Sequence, residues 1–263
     1  MTQQATKPPS PSAATALGLA ALVLTISIGG GFLVTRGFED QTKQLLGRWD
    51  SPFWLSVRVT LAGTLLGGAA GIACAYLLAK GRFPGRDLLE ALGSLPIILP
   101  PTVLGYYLLD LFKDGSKTAP ALDKILGGPV LFHWRGLIIV AAIAAFPFVL
   151  RSGRAAIAGV DPKLEEAARA MGLPEWRVAL QVTLPAARRG TIVGLTLGGA
   201  RAWGEYGATL MIGGSIAGKT TTMSIAVTNA QNPGQQMGSL LDLMLIVALA
   251  ATIGLTLLER RRV

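Results

Sequence analysis

Six stretches of the chain, 13–34, 54–79, 88–109, 131–150, 190–212 and 240–258, are mostly apolar over about the 20 residues a helix needs to cross a bilayer. The fourth is the weakest, because its charge-free core runs only from Gly136 to Leu150. Short polar connections separate these stretches, except for one long polar segment, Arg151 to Arg189. The pattern predicts an all-α membrane protein of about six transmembrane helices. Residues 1–12, rich in Pro, Ser, Thr and Gln, read as a disordered tail. The stretch 13–34 follows a lone lysine, as a signal peptide would. Its apolar run exceeds a signal core of about 7–15 residues and no clear small-x-small site follows, so it is read as a retained peripheral helix.

Two stretches carry interruptions. Leu95-Pro96-Ile97-Ile98-Leu99-Pro100-Pro101 places prolines inside the third, where each removes a helix hydrogen bond and kinks or breaks the span near mid-bilayer. Backbone left unpaired at that depth is tolerated only within protein or beside a water-filled path. The fifth holds Arg201 and Glu205, one helical turn apart and therefore on one face. They are either a mutually neutralising structural pair or groups on a permeation path. Gly63, Gly67 and Gly71 in the second stretch, and Gly194 and Gly198 in the fifth, recur at four-residue spacing, which lets helix backbones approach closely.

Composition agrees with a bilayer: 51% of the residues are hydrophobic and 15% charged, against about 25% charged in soluble domains. The net charge of +9 does not point to nucleic acid, because the basic residues fall mainly between the apolar stretches. Of the Lys and Arg outside the spans, 14 fall on the side of both termini and of the segment 151–189, and 8 on the other, which predicts that side to be cytoplasmic. The single cysteine, Cys74, and single histidine, His133, exclude an internal disulfide, a zinc hydrolase and a His-based triad. No span clusters carboxylates, His or Cys as an integral membrane enzyme would.

Within the polar segment, Asp161-Pro162 can cap and open a short helix through Lys163, Leu164, Glu165, Glu166, Ala167, Ala168, Arg169, Ala170 and Met171, stopping at Gly172. Leu164, Ala167, Ala168 and Met171 share a helical face, for packing on a partner, on the rest of the loop or on the membrane surface. Glu166-Ala167-Ala168, Gly172, Val182 and Leu184-Pro185 stand at the spacing of the EAA signature, and in this the chain resembles permease subunits of bacterial ABC importers, with Val182 where that family usually has Ile. The resemblance implies a type I importer permease fold over 53–258, with a cytoplasmic coupling loop at 161–189 that docks on a separate ATPase. It places Glu165, Glu166, Ala167, Ala168, Gly172, Leu184 and Pro185 at that coupling site. Gly172 would supply a positive φ where the chain leaves the helix.

Arg82-Phe83-Pro84-Gly85-Arg86 with the proline segment after it, and Gly204-Glu205-Tyr206-Gly207-Ala208-Thr209 leading into Gly213–Thr220, resemble the molybdate branch of the oxyanion importers. Sulfate and tungstate permeases share much of this pattern. After Thr222 the chain departs from it, reading Met223-Ser224-Ile225-Ala226-Val227-Thr228-Asn229 in place of a Pro and an Ile-Tyr or Met-Tyr pair. The resemblance implies a homodimer around one translocation path in the bacterial inner membrane. It further implies a cytoplasmic ATPase dimer that binds ATP and Mg, and an external or periplasmic oxyanion-binding protein. No cofactor is expected in this chain, which is not an enzyme alone. Pro100, Thr102, Arg201, Glu205, Thr209, Ser215 and Thr228 are the candidates for the path, the hydroxyls by position only. An ion-coupled transporter or channel working without ATP is the alternative from another class, and it leaves the spaced loop motif unexplained. Gly213 to Thr220 also fits GxxxxGK[ST], but a phosphate loop joins a strand to a helix, and this one follows an apolar span on the outer side. There Lys219 would shape an external mouth that attracts anions.

Overall fold

The computed structural model describes residues 47–229 other than Arg82, Asp114, Gly115 and Lys117, together with Met244. The predicted tail, the stretch 13–34 and, Met244 apart, the stretch 240–258 lie outside the described residues. All regular structure described is helical: α1 (Pro52–Lys80), α2 (Arg86–Ile98), α3 (Pro101–Phe112), α4 (Ala119–Leu126), α5 (Trp134–Ala158), α6 (Pro162–Ala170), α7 (Glu175–Val178), a π-helical turn (Ala179–Thr183), α8 (Leu184–Ala186), α9 (Arg188–Trp203), α10 (Gly207–Gly213) and α11 (Met223–Asn229). Among the described residues α1 and α5 are long and apolar enough to cross a membrane, and α2 with α3 adds a third if the bent pair is one span.

Helix α5 is the centre of the bundle. It is apolar on all sides, and Leu137, Val140, Ala145, Val149, Leu150 and Ile157 are almost wholly buried. Helices α1 and α9 pack on it through the two glycine stripes. A Cβ on Gly67 would strike the Ala142 carbonyl, and one on Gly198 would lie 2.8 Å from the Ala145 carbonyl oxygen. At both places only a missing side chain lets the backbones meet. Packing without a hydrophobic difference between lipid and core depends on such close approach.

Two predicted spans are redrawn. The fourth does not stop at Leu150 but continues to Ala158, and in the added turns Arg154 pairs with Glu90 of α2. The third breaks at its prolines, as their placement predicts. Pro96 is absorbed inside α2, whereas Pro100, which has no N–H to give the ladder, precedes α3, and α3 starts at Pro101 at 109° to α2. The fifth also breaks: α9 has 16 residues, about 24 Å of helix against a hydrocarbon core of about 30 Å, and ends at Gly204 before α10 begins.

Candidate functional site

The polar loop assembles around a buried carboxylate. Asp161 caps α6 by accepting a hydrogen bond from the Lys163 N–H at 3.0 Å, and Pro162 occupies the first helical position. The helix closes at Gly172, whose φ is +83°; the Gly172 N–H donates to the Arg169 carbonyl and the Leu173 N–H to that of Ala168, the paired bonds of a Schellman end. Glu165, 4% exposed, receives the Lys80 ammonium at 2.8 Å and the Thr183 hydroxyl at 2.7 Å on the same oxygen. Arg169 stands 3.7 Å from its other oxygen and forks onto Glu175 at 2.6 and 3.2 Å, joining α6 to α7. Burial pushes the Glu165 carboxyl up, but hydrogen bonds from Lys80 and Thr183 and the charges of Lys80 and Arg169 outweigh it and hold the group below its ordinary range. The Arg169 fork holds the Glu175 carboxyl low in the same way.

This arrangement divides the expected face of α6. Only Ala168 of the apolar set turns inward, at 2% exposed, beside Glu165. Leu164, Ala167 and Met171 are exposed, and Trp176 and Leu180 extend the exposed apolar surface. The charged cluster does the anchoring, which frees the apolar stripe to point outward. Of the other motif residues, Glu166, Gly172 and Pro185 are exposed, while Leu184 packs against the cluster of Ala75, Leu78, Leu150 and Ile157. Lys80 and Thr183 are functional candidates that the sequence reading missed. Their only sequence signals were a lysine closing an apolar span and a hydroxyl inside the motif, and the π turn that brings Thr183 inward has none.

The two helix breaks meet. Gly207 abuts the start of α3, with its Cβ position 3.1 Å from the Thr102 nitrogen, and that of Gly105 lies 2.7 Å from Ala208 Cα. Pro100, Thr102 and the Glu205 to Thr209 segment are thereby gathered at one place. Thr102 and Val103 open α3 with N–H groups ahead of its first intrahelical bond, that of Leu104 to the Pro100 carbonyl. Glu205, also 4% exposed, holds Arg201 at 2.6 Å and accepts the Ala208 N–H at 3.0 Å, so it staples the end of α9 to the start of α10. Thr102 is exposed and Thr209 buried.

Ser215 and Thr228 belong to the segment that follows. Ser215, at φ +55°, accepts from the Asn229 amide at 2.6 Å, and Thr228 donates to the Ser224 carbonyl in its own helix. In the GxxxxGK[ST] stretch Thr220 is fully buried, donating to the Gly213 carbonyl at 2.7 Å and accepting from the Ile216 N–H at 2.8 Å. Its hydroxyl is consumed by the turn, and the element before it is α10 rather than a strand. Lys219 is exposed.

Residues 67–261 match the family described as binding-protein-dependent transport system inner membrane component. The molybdenum transport system permease protein ModB of Escherichia coli (strain K12) is 40% identical over 74% of this chain and 86% of its own length. That of Haemophilus influenzae is 37% identical over 69% and 80%. The sulfate transport system permease protein CysT of Escherichia coli is 34% identical, over 62% of this chain and 59% of its own length. Among solved structures, an inward-facing MetNI methionine ABC transporter aligns with a TM-score of 0.60 at 19% identity, covering 84% of this chain and 97% of that one. A membrane-type helical fold, an interrupted pair of helices and a match over most of the chain agree: the protein belongs to the family of binding-protein-dependent transport system inner membrane components.

Proposed function

We propose that this chain is the membrane-spanning permease of an ATP-driven importer that carries molybdate across the bacterial inner membrane. The observation that carries the reading is the 40% identity to a molybdenum permease over most of both chains. The sulfate permease CysT is less identical, at 34% against 40%, which favours molybdate within the oxyanions. In this reading 53–258 is the transmembrane domain, 13–34 a peripheral helix and 161–189 the coupling loop, giving six spans with both termini cytoplasmic. Two copies enclose one path. An ATPase dimer binds ATP and Mg and docks on the loop, and an external binding protein delivers the anion. The chain supplies the path and no hydrolysis of its own.

The gathered helix breaks support a weak, transient site for a tetrahedral dianion, offering hydroxyl and backbone donors at Thr102 and, nearby, Thr209. A path that must release its cargo is served by neutral donors rather than by a free cation, and Arg201 is already engaged by Glu205. The outward stripe of Leu164, Ala167 and Met171, with Glu166 and Gly172 beside it, supports docking of the ATPase there.

The test is cellular molybdenum, measured by elemental mass spectrometry in a deletion strain grown at scarce molybdate and complemented with the wild-type gene. Restoration that excess sulfate does not suppress is expected. Unchanged molybdenum with a fall in sulfur or tungsten uptake would overturn the choice of anion.

A further inference from the structure

The polar loop is tied to the membrane bundle by its chain ends at α5 and α9. A segment held at two points can swivel about the line joining them, and motion delivered to it is then lost in rotation. Leu184 adds an apolar contact to the cluster that includes Ala75 and Leu78 of α1, and a charged pair links the loop to the same helix. Glu165 of α6 binds Lys80, the last residue of α1, at 2.8 Å, and Thr183 of the π turn at 2.7 Å, all through one carboxylate that is 4% exposed. The Arg169 fork on Glu175 stiffens the loop across its two arms. Helix α1 in turn lies on α5 through Gly63, Gly67 and Gly71, where the backbones are in contact and have no slack.

We propose that Glu165 and Lys80 form an internal strut, in which Glu165 acts as a positioning residue that transmits displacement of the loop to α1 rather than as a contact to the ATPase. This rests on the permease reading above. The strut adds a directional, charged link to the apolar contact of Leu184 and routes motion directly to α1, beside the two covalent routes. Its geometry suits the task. A buried, hydrogen-bonded ion pair resists both extension and shear more than an apolar contact, because separating it strands a charge away from water. Glu165 carries one further charge contact, Arg169, so losing Lys80 leaves the carboxylate only partly compensated.

The test uses the complete transporter, the permease with its ATPase and binding protein, in proteoliposomes, reading labelled molybdate uptake per ATP hydrolysed. Lys80→Met and Glu165→Gln are expected to keep the ATPase in the complex and hydrolysing, while uptake per ATP falls on the order of tenfold, the scale of a typical coupling energy. Lys80→Arg, which keeps the charge, should restore coupling. The double variant Lys80→Met/Glu165→Gln should be no worse than either single one, as for two ends of one link. Thr183→Val removes a single hydrogen bond from the same carboxylate and should give a smaller loss in the same direction, a readout that survives if Lys80→Met fails to fold. Wild-type coupling in Lys80→Met or Thr183→Val would overturn the strut, as would loss of the ATPase from a folded Glu165→Gln permease, which would place Glu165 at the docking contact. A wild-type complex that carries no oxyanion and retains no ATPase would instead overturn the permease reading, and the strut with it.

Discussion

Gly172 occupies a conformation with φ +83°, and a Cβ built there meets nothing within 4 Å. Space inside the chain therefore does not require glycine; the backbone angle and whatever docks from outside do. Asn tolerates the left-handed region better than other non-glycine residues, whereas a β-branched side chain there is strained by roughly 1–3 kcal/mol. Gly172→Asn should lower the thermal unfolding midpoint only slightly and, on the docking proposed above, lower transport, and Gly172→Val should lower both more strongly. Normal transport by Gly172→Asn would remove this glycine from the coupling contact. The buried carboxylate nearby sets a pH limit. Glu165, faced by Lys80, Thr183 and Arg169 and, at longer range, by Glu175 and Tyr76, is held below the ordinary glutamate value of 4.5. A depressed value means its contribution to stability is complete above 4.5 and is lost as the pH falls through the folded value. Unfolding midpoints from about pH 3 to pH 7 should accordingly fall more steeply at the acid end for the wild type than for Glu165→Gln, with no change in this group's contribution from about pH 5 upward.

At the scale of elements, helix breaks matter as much as helices. Pro100 and Pro101 made the first break readable, since a proline without an N–H has a local mechanism, but the 109° turn depends on what α3 packs against, which no local rule contains. The second break, at Gly204 to Tyr206, was not legible, because Arg201 and Glu205 read as a charge pair on one helical face rather than as an end of the helix. Its cause is tertiary: Gly207 must reach the backbone of Thr102, and Glu205 must turn to cap α10. Both Glu205 oxygens are thus used within the fold, one on Arg201 and one on Ala208. Removing one member of a buried pair costs about 3–5 kcal/mol, whereas removing both charges is often near neutral. Arg201→Leu should therefore greatly reduce folded protein in detergent, and Arg201→Leu/Glu205→Gln, which keeps an acceptor for the Ala208 N–H, should restore both folding and uptake. A double variant that folds like the wild type but does not transport would move the pair onto the path.

At the scale of the molecule, the apolar pattern revealed where the long helices run among the described residues, because each span must satisfy its backbone within itself. It did not reveal which face of α6 turns inward. The residue pattern there placed Leu164, Ala167, Ala168 and Met171 together, and the fold instead buries Glu165 with Ala168 and leaves Leu164 and Met171 at 52% and 74% exposed. A charged residue turned inward while an apolar stripe faces out costs free energy in an isolated subunit unless the stripe is covered in the assembly. Leu164, Met171 and Trp176 make such a stripe on the loop that joins α5 to α9, where the ATPase docks in the function proposed above. Leu164→Glu and Met171→Glu remove apolar area without touching the buried cluster, so neither should shift the unfolding midpoint of the purified permease. Each should weaken capture of the partner ATPase by about 1–3 kcal/mol, roughly a fully buried aliphatic side chain, or about one to two orders of magnitude in affinity, read by titrating the ATPase against the permease in nanodiscs. Full affinity in both variants would show that the stripe faces lipid headgroups instead, and the docking surface would then have to be sought among Glu166, Arg177 and the exposed side of the π turn.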